Sequence, residues 1–358
     1  MDTATKEFLE AFAEVLATAH NKPRERDGRL ADFAGLPPPP PSVSVKDDWA
    51  SYIKARQEQS QLATWFLTEA LTQFGAKTIK QGAGRTPFPL RDKLFLCIEK
   101  VHRRHTYDSF TEFIEYAKLK GYTSSMPQPH SVADFMNDAQ LTSLLERLVT
   151  FTSTPLGVLE EEFAIDSTGL GTYGKRWVTV RLDLAEHRAF RKLHLLIGVR
   201  TGIITAAAVT QGLAGDSPQF ALLLDRMKRY FTIKELSGDA AYASRVNAQL
   251  VEDVGGRPYF KLKLSVKNAM AKAKGHFPAW VRMIRMSRQN PELYKAHYSK
   301  RSNVESTNAS LKRTIRDHLE SKNVTAQENE ALCIAVVHNL GVLARTSVRF
   351  GIGPDYRK

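Results

Sequence analysis

The segment FAIDS, residues 163–167, marks the point in the chain where helical periodicity gives way to short apolar strands. Its apolar residues end at Asp166, which predicts a buried strand that carries a carboxylate at its end. Three further segments of β-branched and apolar residues follow, each bounded by Gly or by charge, and they also predict strands: WVTVRLDL (177–184), KLHLLIGV (192–199) and IITAAAVTQG (203–212).

Helices and strands then alternate toward the end of the chain. The pattern predicts helices at 218–231 and 244–256, strands at 232–238 and 257–265, and late helices beginning near Ser302 and Gln327. Such alternation is typical of an α/β domain with a mixed sheet. The order of the elements resembles that of the ribonuclease H-like fold. We therefore predict a mixed five-stranded sheet flanked by helices over residues 161–350, preceded by an all-α N-terminal region.

The N-terminal region consists of helical patterns interrupted by one proline-rich stretch. We divide it into a helical segment (1–34), a Pro-rich linker (35–46) and a helical region (47–160). The last region ends with three predicted helices, and Ser131 is the expected N-cap of the third, SVADFMNDAQLTSLLERLVTF. This arrangement fits a helix-turn-helix-like DNA-binding unit. A plain helical bundle is the alternative.

The positive charge of the chain is concentrated in one segment. Residues 256–316 contain 15 Lys and Arg against two acids, whereas the rest of the chain contains 36 basic and 36 acidic residues. A local excess of this size indicates a polyanionic partner, because each neutralised phosphate releases condensed counterions. The alternative is a solvated basic face without a partner. We expect a basic insert at about 265–297 to contact DNA.

Three acids occupy positions suited to metal chemistry. Asp166 ends the first predicted strand, Asp239 follows the strand at 232–238, and Glu305 lies near the start of a late helix. Carboxylates that converge at a sheet edge can bind Mg²⁺, and two ions about 3.5–4 Å apart can activate both oxygens of a phosphodiester displacement. Structural roles are the alternative: a turn for Asp166, a helix cap for Asp239, and a capping box from Ser302 to Glu305.

The stretch YSKRSNVESTNASLK, residues 298–312, places a stripe of functional side chains along one helical face. Tyr298, Arg301, Glu305, Asn308 and Lys312 are spaced so that they lie above one another if the segment is helical. Arg can clamp a phosphate, Lys supplies a point charge, and Tyr can donate to a phosphate or stack on a base. A surface Arg–Glu–Lys ladder is the alternative interpretation, but it does not explain Tyr298.

These motifs resemble those of DDE-type insertion-sequence transposases. The spacing Tyr-x2-Arg-x3-Glu-x6-Lys is their signature around the last acid, and here it runs from Tyr298 to Lys312. Asp166 lies in AIDSTG and Asp239 in DAAY, which are similar to the contexts of the first two acids of that family. The segment GRTPFPLRDKLFLCIEKVH is similar to their N-terminal region. The resemblance therefore extends from about residue 84 to residue 312.

The resemblance implies an enzyme that cuts DNA at the ends of a mobile element and joins the freed 3′-hydroxyl to target DNA. It implies Asp166, Asp239 and Glu305 as ligands of Mg²⁺, with Mn²⁺ as a substitute and two ions expected, and it implies Tyr298, Arg301 and Lys312 as contacts to element-end DNA. The partners would be terminal inverted repeats and target DNA, bound by a homodimer. A metal-dependent nuclease of the same fold without strand transfer, and a non-catalytic DNA-binding protein derived from a transposase, are the alternatives.

Two further sets of residues have open roles. In the basic insert, Arg282, Arg285 and Arg288 are expected to contact DNA, and Trp280 either stacks on an unpaired base or packs in the core. His194 lies in a Lys-x-His sequence that resembles one often found after the first aspartate. It lies either near the metals or in the strand as a hydrogen-bonded structural residue.

The composition places the protein in the cytosol. Cys97 and Cys333 lie far apart without a C-x-x-C motif, which predicts buried thiols in a reducing compartment. The N-terminus has acids within its apolar pattern and no basic n-region, so we expect no signal peptide. We also expect no membrane span, because no run of about 18 apolar residues occurs.

Overall fold

The computed structural model describes residues 49–75, 87–172, 178–182, 185–262, 277–350, 353 and 355–356. The predicted helical segment 1–34 and the Pro-rich linker 35–46 therefore lie outside the described residues. The first part of the predicted basic insert, up to residue 276, lies outside them as well.

The region before the sheet is helical, as predicted. It contains α1 (Trp49–Phe74), α2 (Leu90–Arg103), α3 (Thr111–Leu119), α4 (Pro129–Met136) and α5 (Ala139–Ser153).

The single helix expected from Ser131 is in fact two. Pro129 occupies the first turn of α4, where its missing N–H costs nothing, so Ser131 lies inside the helix and does not cap it. Asp138 interrupts the pattern because its side chain accepts a hydrogen bond from Gln140 N and thereby caps α5.

The strands form the predicted mixed sheet. They are β1 (Glu162–Gly171), β2 (Val178–Leu182), β3 (Ala185–Gly198), β4 (Ile204–Gln211), β5 (Glu235–Gly238) and β6 (Arg257–Phe260). Five of them lie in the order β4-β3-β1-β5-β6, with β3 antiparallel to β1 and β4, and with β5 parallel to β1 and β6. The remaining strand, β2, pairs antiparallel with the first part of β3, residues 185–189. The expected ribonuclease H-like architecture is confirmed.

Helices cover both faces of the sheet. After β4 come α6 (Gln219–Met227), α7 (Arg245–Asp253), α8 (Pro278–Gln289), α9 (Pro291–Ser299), α10 (Ser302–Thr314) and α11 (Val324–Phe350). Phe163 and Ile165 of β1 pack in an apolar cluster with α6, α7 and α8. Ala164, on the other face, belongs to a larger cluster that joins the sheet to α10, α11 and the N-terminal helices. The helical region and the sheet therefore share one core.

The centre of that larger core is α11. Among the described residues it is the one helix long and apolar enough to cross a membrane by length and composition, yet 83% of its most apolar stretch is buried inside the protein. Its neighbours in the core explain its apolar character. Cys97 on α2 and Cys333 on α11 are buried free thiols, as predicted, and burial raises the pKa of Cys97 to about 12.

Candidate active site

The two aspartates lie side by side where the pairing between the parallel strands β1 and β5 stops. Asp166 does not end its strand as predicted, because β1 continues to Gly171 through its pairing with β3. Ile165 pairs with Gly238 in the β1–β5 register, so Asp166 and Asp239 follow at the same level on strands about 4.8 Å apart. Asp166 comes two residues after Ala164 and points to the same face, on which α10 packs. Asp239 begins a tight turn in which Tyr242 N donates to Asp239 O at 3.0 Å.

The third acid comes from α10, which packs across β1. Val304 and Leu311 are buried in the core and hold the helix in place. Asn303 Nδ2 also donates to Val199 O, in the connection between β3 and β4, at 3.0 Å. This packing brings Glu305 to the same Arg301 guanidinium that Asp166 and Asp239 approach, although Glu305 follows Asp166 by 139 residues in sequence.

The structure does not support a capping box at Glu305. The residue at the N-cap position is Arg301, which has helical φ and ψ, and no side chain caps the helix. Glu305 Oε1 instead accepts a hydrogen bond from Arg301 Nη1 at 2.7 Å. The Glu305 side chain is 59% exposed, so its carboxylate retains the freedom to move toward the aspartates.

One guanidinium lies among all three carboxylates. Arg301 Nη2 is 3.8 Å from Asp166 Oδ2 and 4.0 Å from Asp239 Oδ2, while Nη1 holds Glu305. The Arg301 Nε atom is buried and has no hydrogen-bond partner among the described residues. The three acids thus converge on one point of positive charge.

The pKa of Asp166 is raised by its surroundings. Burial raises the pKa of Asp166, and the nearby negative charges of Asp239 and Glu305 raise it further. The Ser167 backbone N–H and the Arg301 guanidinium act in the opposite direction. Charge repulsion between neighbouring carboxylates is relieved by a cation, and in this structure that cation is the Arg301 guanidinium.

The donor set fits a divalent metal. Asp166, Asp239 and Glu305 would supply hard oxygen ligands, as Mg²⁺ requires. As they stand, however, no three Asp, Glu, His or Cys side chains in the described part of the chain are close enough to enclose an ion. Ligation would require Arg301 to leave its place between them. Asn308 adds a further oxygen nearby, because its Nδ2 lies 3.4 Å from Asp166 Oδ2 and its buried Oδ1 has no partner among the described residues.

The stripe predicted from the sequence spans two short helices. Tyr298 lies in α9, Arg301 in the turn after it, and Glu305, Asn308 and Lys312 in α10. Tyr298 is half-buried, and burial raises its pKa. Lys312 is half-buried two helical turns beyond Glu305, about 10 Å along the axis, and burial lowers its pKa.

The predicted DNA contacts of the basic insert divide into two groups. Arg282, Arg285 and Arg288 lie on the exposed face of α8, and Arg282 is paired with Glu252. No ion pair to another described residue holds Arg285 or Arg288. Trp280, in contrast, is only 6% exposed and packs in the core with its neighbours on the buried face of α8. Packing therefore accounts for Trp280, and the structure does not present its ring to a base.

His194 has the structural role that was one of its two alternatives. It is fully buried in β3, where both ring nitrogens contact hydroxyl groups. Sequence reasoning missed Asp216, whose carboxylate lies beside Ser167 and His194. Its Gly-Asp-Ser-Pro context is typical of an ordinary turn and offered no signal of this position.

Comparison with known proteins gives one match that covers the site. A family model described as a transposase DDE domain matches residues 159–340, just over half of the chain. The matched region begins just before β1 and ends within α11, so it contains all three acids and the stripe. No curated protein matches the chain.

Proposed function

The chain belongs to the family of transposases with a DDE domain, and on that premise we propose that it cuts DNA at the ends of a mobile element and joins the freed 3′-hydroxyls to target DNA in a metal-dependent reaction. The observation that carries the proposal is the convergence of Asp166, Asp239 and Glu305 on one cationic point, from three elements distant in sequence. The local charge excess around residues 256–316 supports DNA as the substrate.

Asp166, Asp239 and Glu305 would hold Mg²⁺, with Mn²⁺ as a substitute and two ions expected. A metal bound there would supply Lewis-acid charge at the phosphate and at the attacking oxygen. Hydrolysis at the element end and attack by the 3′-hydroxyl are both in-line displacements at phosphorus, so the same three carboxylates serve both steps.

The cations beside the acids would hold the DNA strand. Arg301 presents a planar fork that suits a phosphate as well as it suits the carboxylates it contacts in this structure. Lys312 would supply a second positive charge farther along α10, and Tyr298, three residues before Arg301, would supply a hydroxyl. Together they would align one phosphodiester with the acids.

The other parts of the chain would bind DNA away from the chemistry. The helical region 47–160 would recognise the terminal inverted repeats, and Arg285 and Arg288 on α8 would contact the flanking backbone. Pairing two element ends requires a homodimer on DNA. The protein would act in the cytosol, where its buried thiols stay reduced.

The test is cleavage of labelled linear DNA that contains the coding sequence with its natural flanks, in Mg²⁺ or Mn²⁺ and in EDTA. Wild type is compared with Glu305→Ala and with Glu292→Ala. Glu292 is a suitable control because it is an exposed acid on α9, in the same basic segment, and its loss changes the charge equally. Both cleaved and joined products are scored, and binding is measured in EDTA.

We expect wild type and Glu292→Ala to cut and join DNA with metal present, and Glu305→Ala to bind DNA but do neither. Cutting without joined products would instead identify a nuclease. Binding without cutting by any of the proteins would identify a non-catalytic DNA-binding protein. Cutting by Glu305→Ala at the wild-type rate would show that Glu305 is not a metal ligand.

A further inference from the structure

A group of buried and half-buried polar side chains lies on the face of the sheet opposite α10, directly behind Asp166. Because side chains alternate along a strand, Ser167 points away from the face that Asp166 occupies. Phe163 and Ile165 point the same way as Ser167 and belong to the apolar cluster of α6, α7 and α8, which also contains Tyr242. The polar group therefore lies at the end of an otherwise apolar layer.

His194 anchors this group to β3. Its Nδ1 lies 3.0 Å from the Tyr242 hydroxyl, and its Nε2 lies 2.8 Å from Thr210 Oγ1. Burial lowers the pKa of His194 to about 4, so the ring is neutral at physiological pH. A neutral imidazole has one donor and one acceptor, and each finds a hydroxyl partner here whichever nitrogen carries the proton.

Asp216 ties the same group to β1. The Ser167 hydroxyl donates to Asp216 Oδ1 at 3.3 Å, and Lys192 Nζ donates to that same oxygen at 3.0 Å. His194 Nδ1 lies 3.5 Å from it. The loop after β4 is thereby fastened to the residue that directly follows Asp166.

Tyr242 connects this group to the second aspartate. Its backbone N–H donates to Asp239 O at 3.0 Å and closes the turn, and Asn247 Nδ2 donates to Tyr242 O at 2.8 Å. The backbone of Tyr242 thus holds the Asp239 turn, while its hydroxyl contacts His194 on β3, which in turn lies beside Asp216, the acceptor of the Ser167 hydroxyl. A chain of polar contacts through Tyr242, His194, Asp216 and Ser167 therefore connects the Asp239 turn to the residue after Asp166.

We propose that Ser167, His194, Asp216 and Tyr242 form a positioning network that sets the relative placement of Asp166 and Asp239, and thereby the affinity of the site for a divalent metal. The inference rests on the proposed function, because it assumes that the two aspartates are metal ligands. None of the four side chains would touch the metal or the DNA. Removal of such supporting hydrogen bonds typically weakens metal binding by about 10- to 100-fold.

The test compares Tyr242→Phe with Tyr294→Phe. Tyr294 is the matched control because its buried hydroxyl also makes one hydrogen bond, to Phe260 O at 2.5 Å, in the same apolar cluster. Each variant therefore removes one buried hydroxyl, and only Tyr242 belongs to the network. Mn²⁺ binding is measured by electron paramagnetic resonance of the free ion, with Asp166→Ala as the reference for destruction of the site. Thermal midpoints and DNA binding in EDTA are measured in parallel.

We expect Tyr242→Phe to bind Mn²⁺ about tenfold more weakly than Tyr294→Phe, at a similar thermal midpoint and with unchanged DNA binding. Ser167→Ala is a second variant, which is expected to weaken Mn²⁺ binding and to add little to Tyr242→Phe, since both act through one network. Equal Mn²⁺ affinity of Tyr242→Phe and Tyr294→Phe overturns the inference and leaves the proposed function intact. Wild-type Mn²⁺ binding that Asp166→Ala does not reduce overturns both.

Discussion

Glu160 provides a stability prediction that can be worked out from the structure. This acid lies just before β1, fully buried, and accepts hydrogen bonds from Arg200 N at 3.1 Å, Thr201 N at 2.7 Å and Thr201 Oγ1 at 2.7 Å. Within the described part of the chain, no Lys, Arg or His lies within ion-pair distance of it. Burial raises the pKa of Glu160 from 4.5 to about 7, against the effect of these hydrogen bonds.

A raised pKa means that the folded protein binds this proton more tightly than the unfolded chain does. The associated stability is present below the unfolded pKa of 4.5, declines as the pH rises, and is lost above the folded pKa of about 7. The shift corresponds to about 3 kcal/mol over the full range, because one pKa unit is about 1.4 kcal/mol. Between pH 5 and pH 8 the contribution of Glu160 to the free energy of unfolding falls by roughly 2 to 3 kcal/mol.

The assay is urea unfolding of wild type and Glu160→Gln at pH 5, 6, 7 and 8. The glutamine cannot ionise. The free energy of unfolding of the variant, relative to that of wild type, should therefore rise by about 2 to 3 kcal/mol from pH 5 to pH 8. Other titrating groups cancel in the difference between the two proteins. Any destabilisation from the amide N–H₂ facing Arg200 N adds a constant offset. Glu292→Gln, on the exposed surface of α9, is the control and should show no such trend.

If the difference in free energy of unfolding between wild type and Glu160→Gln is the same at pH 5 and at pH 8, the reasoning is refuted. A variant that loses stability relative to wild type as the pH rises would show that the hydrogen bonds from Arg200 and Thr201 outweigh the cost of burying the charge. The outcome also bears on the active site, because the β3–β4 connection that Glu160 holds is the one on which α10 packs through Asn303.

Three further predictions concern packing and DNA binding. Gly198→Ala would place a Cβ 2.4 Å from Cδ of Glu160. We expect this overlap to lower the free energy of unfolding, measured in urea, by about 1–3 kcal/mol. An unchanged free energy of unfolding would show that the Glu160 side chain moves aside easily. Trp280→Ala should lower the free energy of unfolding by about 3–5 kcal/mol, because it removes a buried ring. At temperatures where the variant is folded, its affinity for DNA in fluorescence anisotropy should equal that of wild type. A lower affinity of the folded variant would indicate that Trp280 stacks on a base. Replacing Arg285 and Arg288 by Gln should reduce the slope of log Kd against log salt by about 0.9 for each phosphate that the variant no longer neutralises, and an unchanged slope would remove α8 from the DNA interface.

Local chemistry made much of the fold readable from the sequence. The alternation of apolar segments with amphipathic helices predicted the order of β1 to β6 and of the helices between them, because each element is recorded in the spacing of its own residues. Where two local signals competed, prediction was wrong. The apolar pattern from Ser131 onward continues through Asp138, but the side chain of Asp138 caps a new helix there.

The sequence by itself determined the order of the strands and most of the helices, and it singled out the three acids, since periodicity and turn chemistry act over a few residues. Only the tertiary structure decided that Arg301 lies among Asp166, Asp239 and Glu305, and that Asp216 reaches Ser167 behind them. It also decided that Trp280 is a core residue. These contacts join residues tens of positions apart, and their geometry follows from strand register and from the packing of α10 across the sheet. No local pattern of residues encodes that packing.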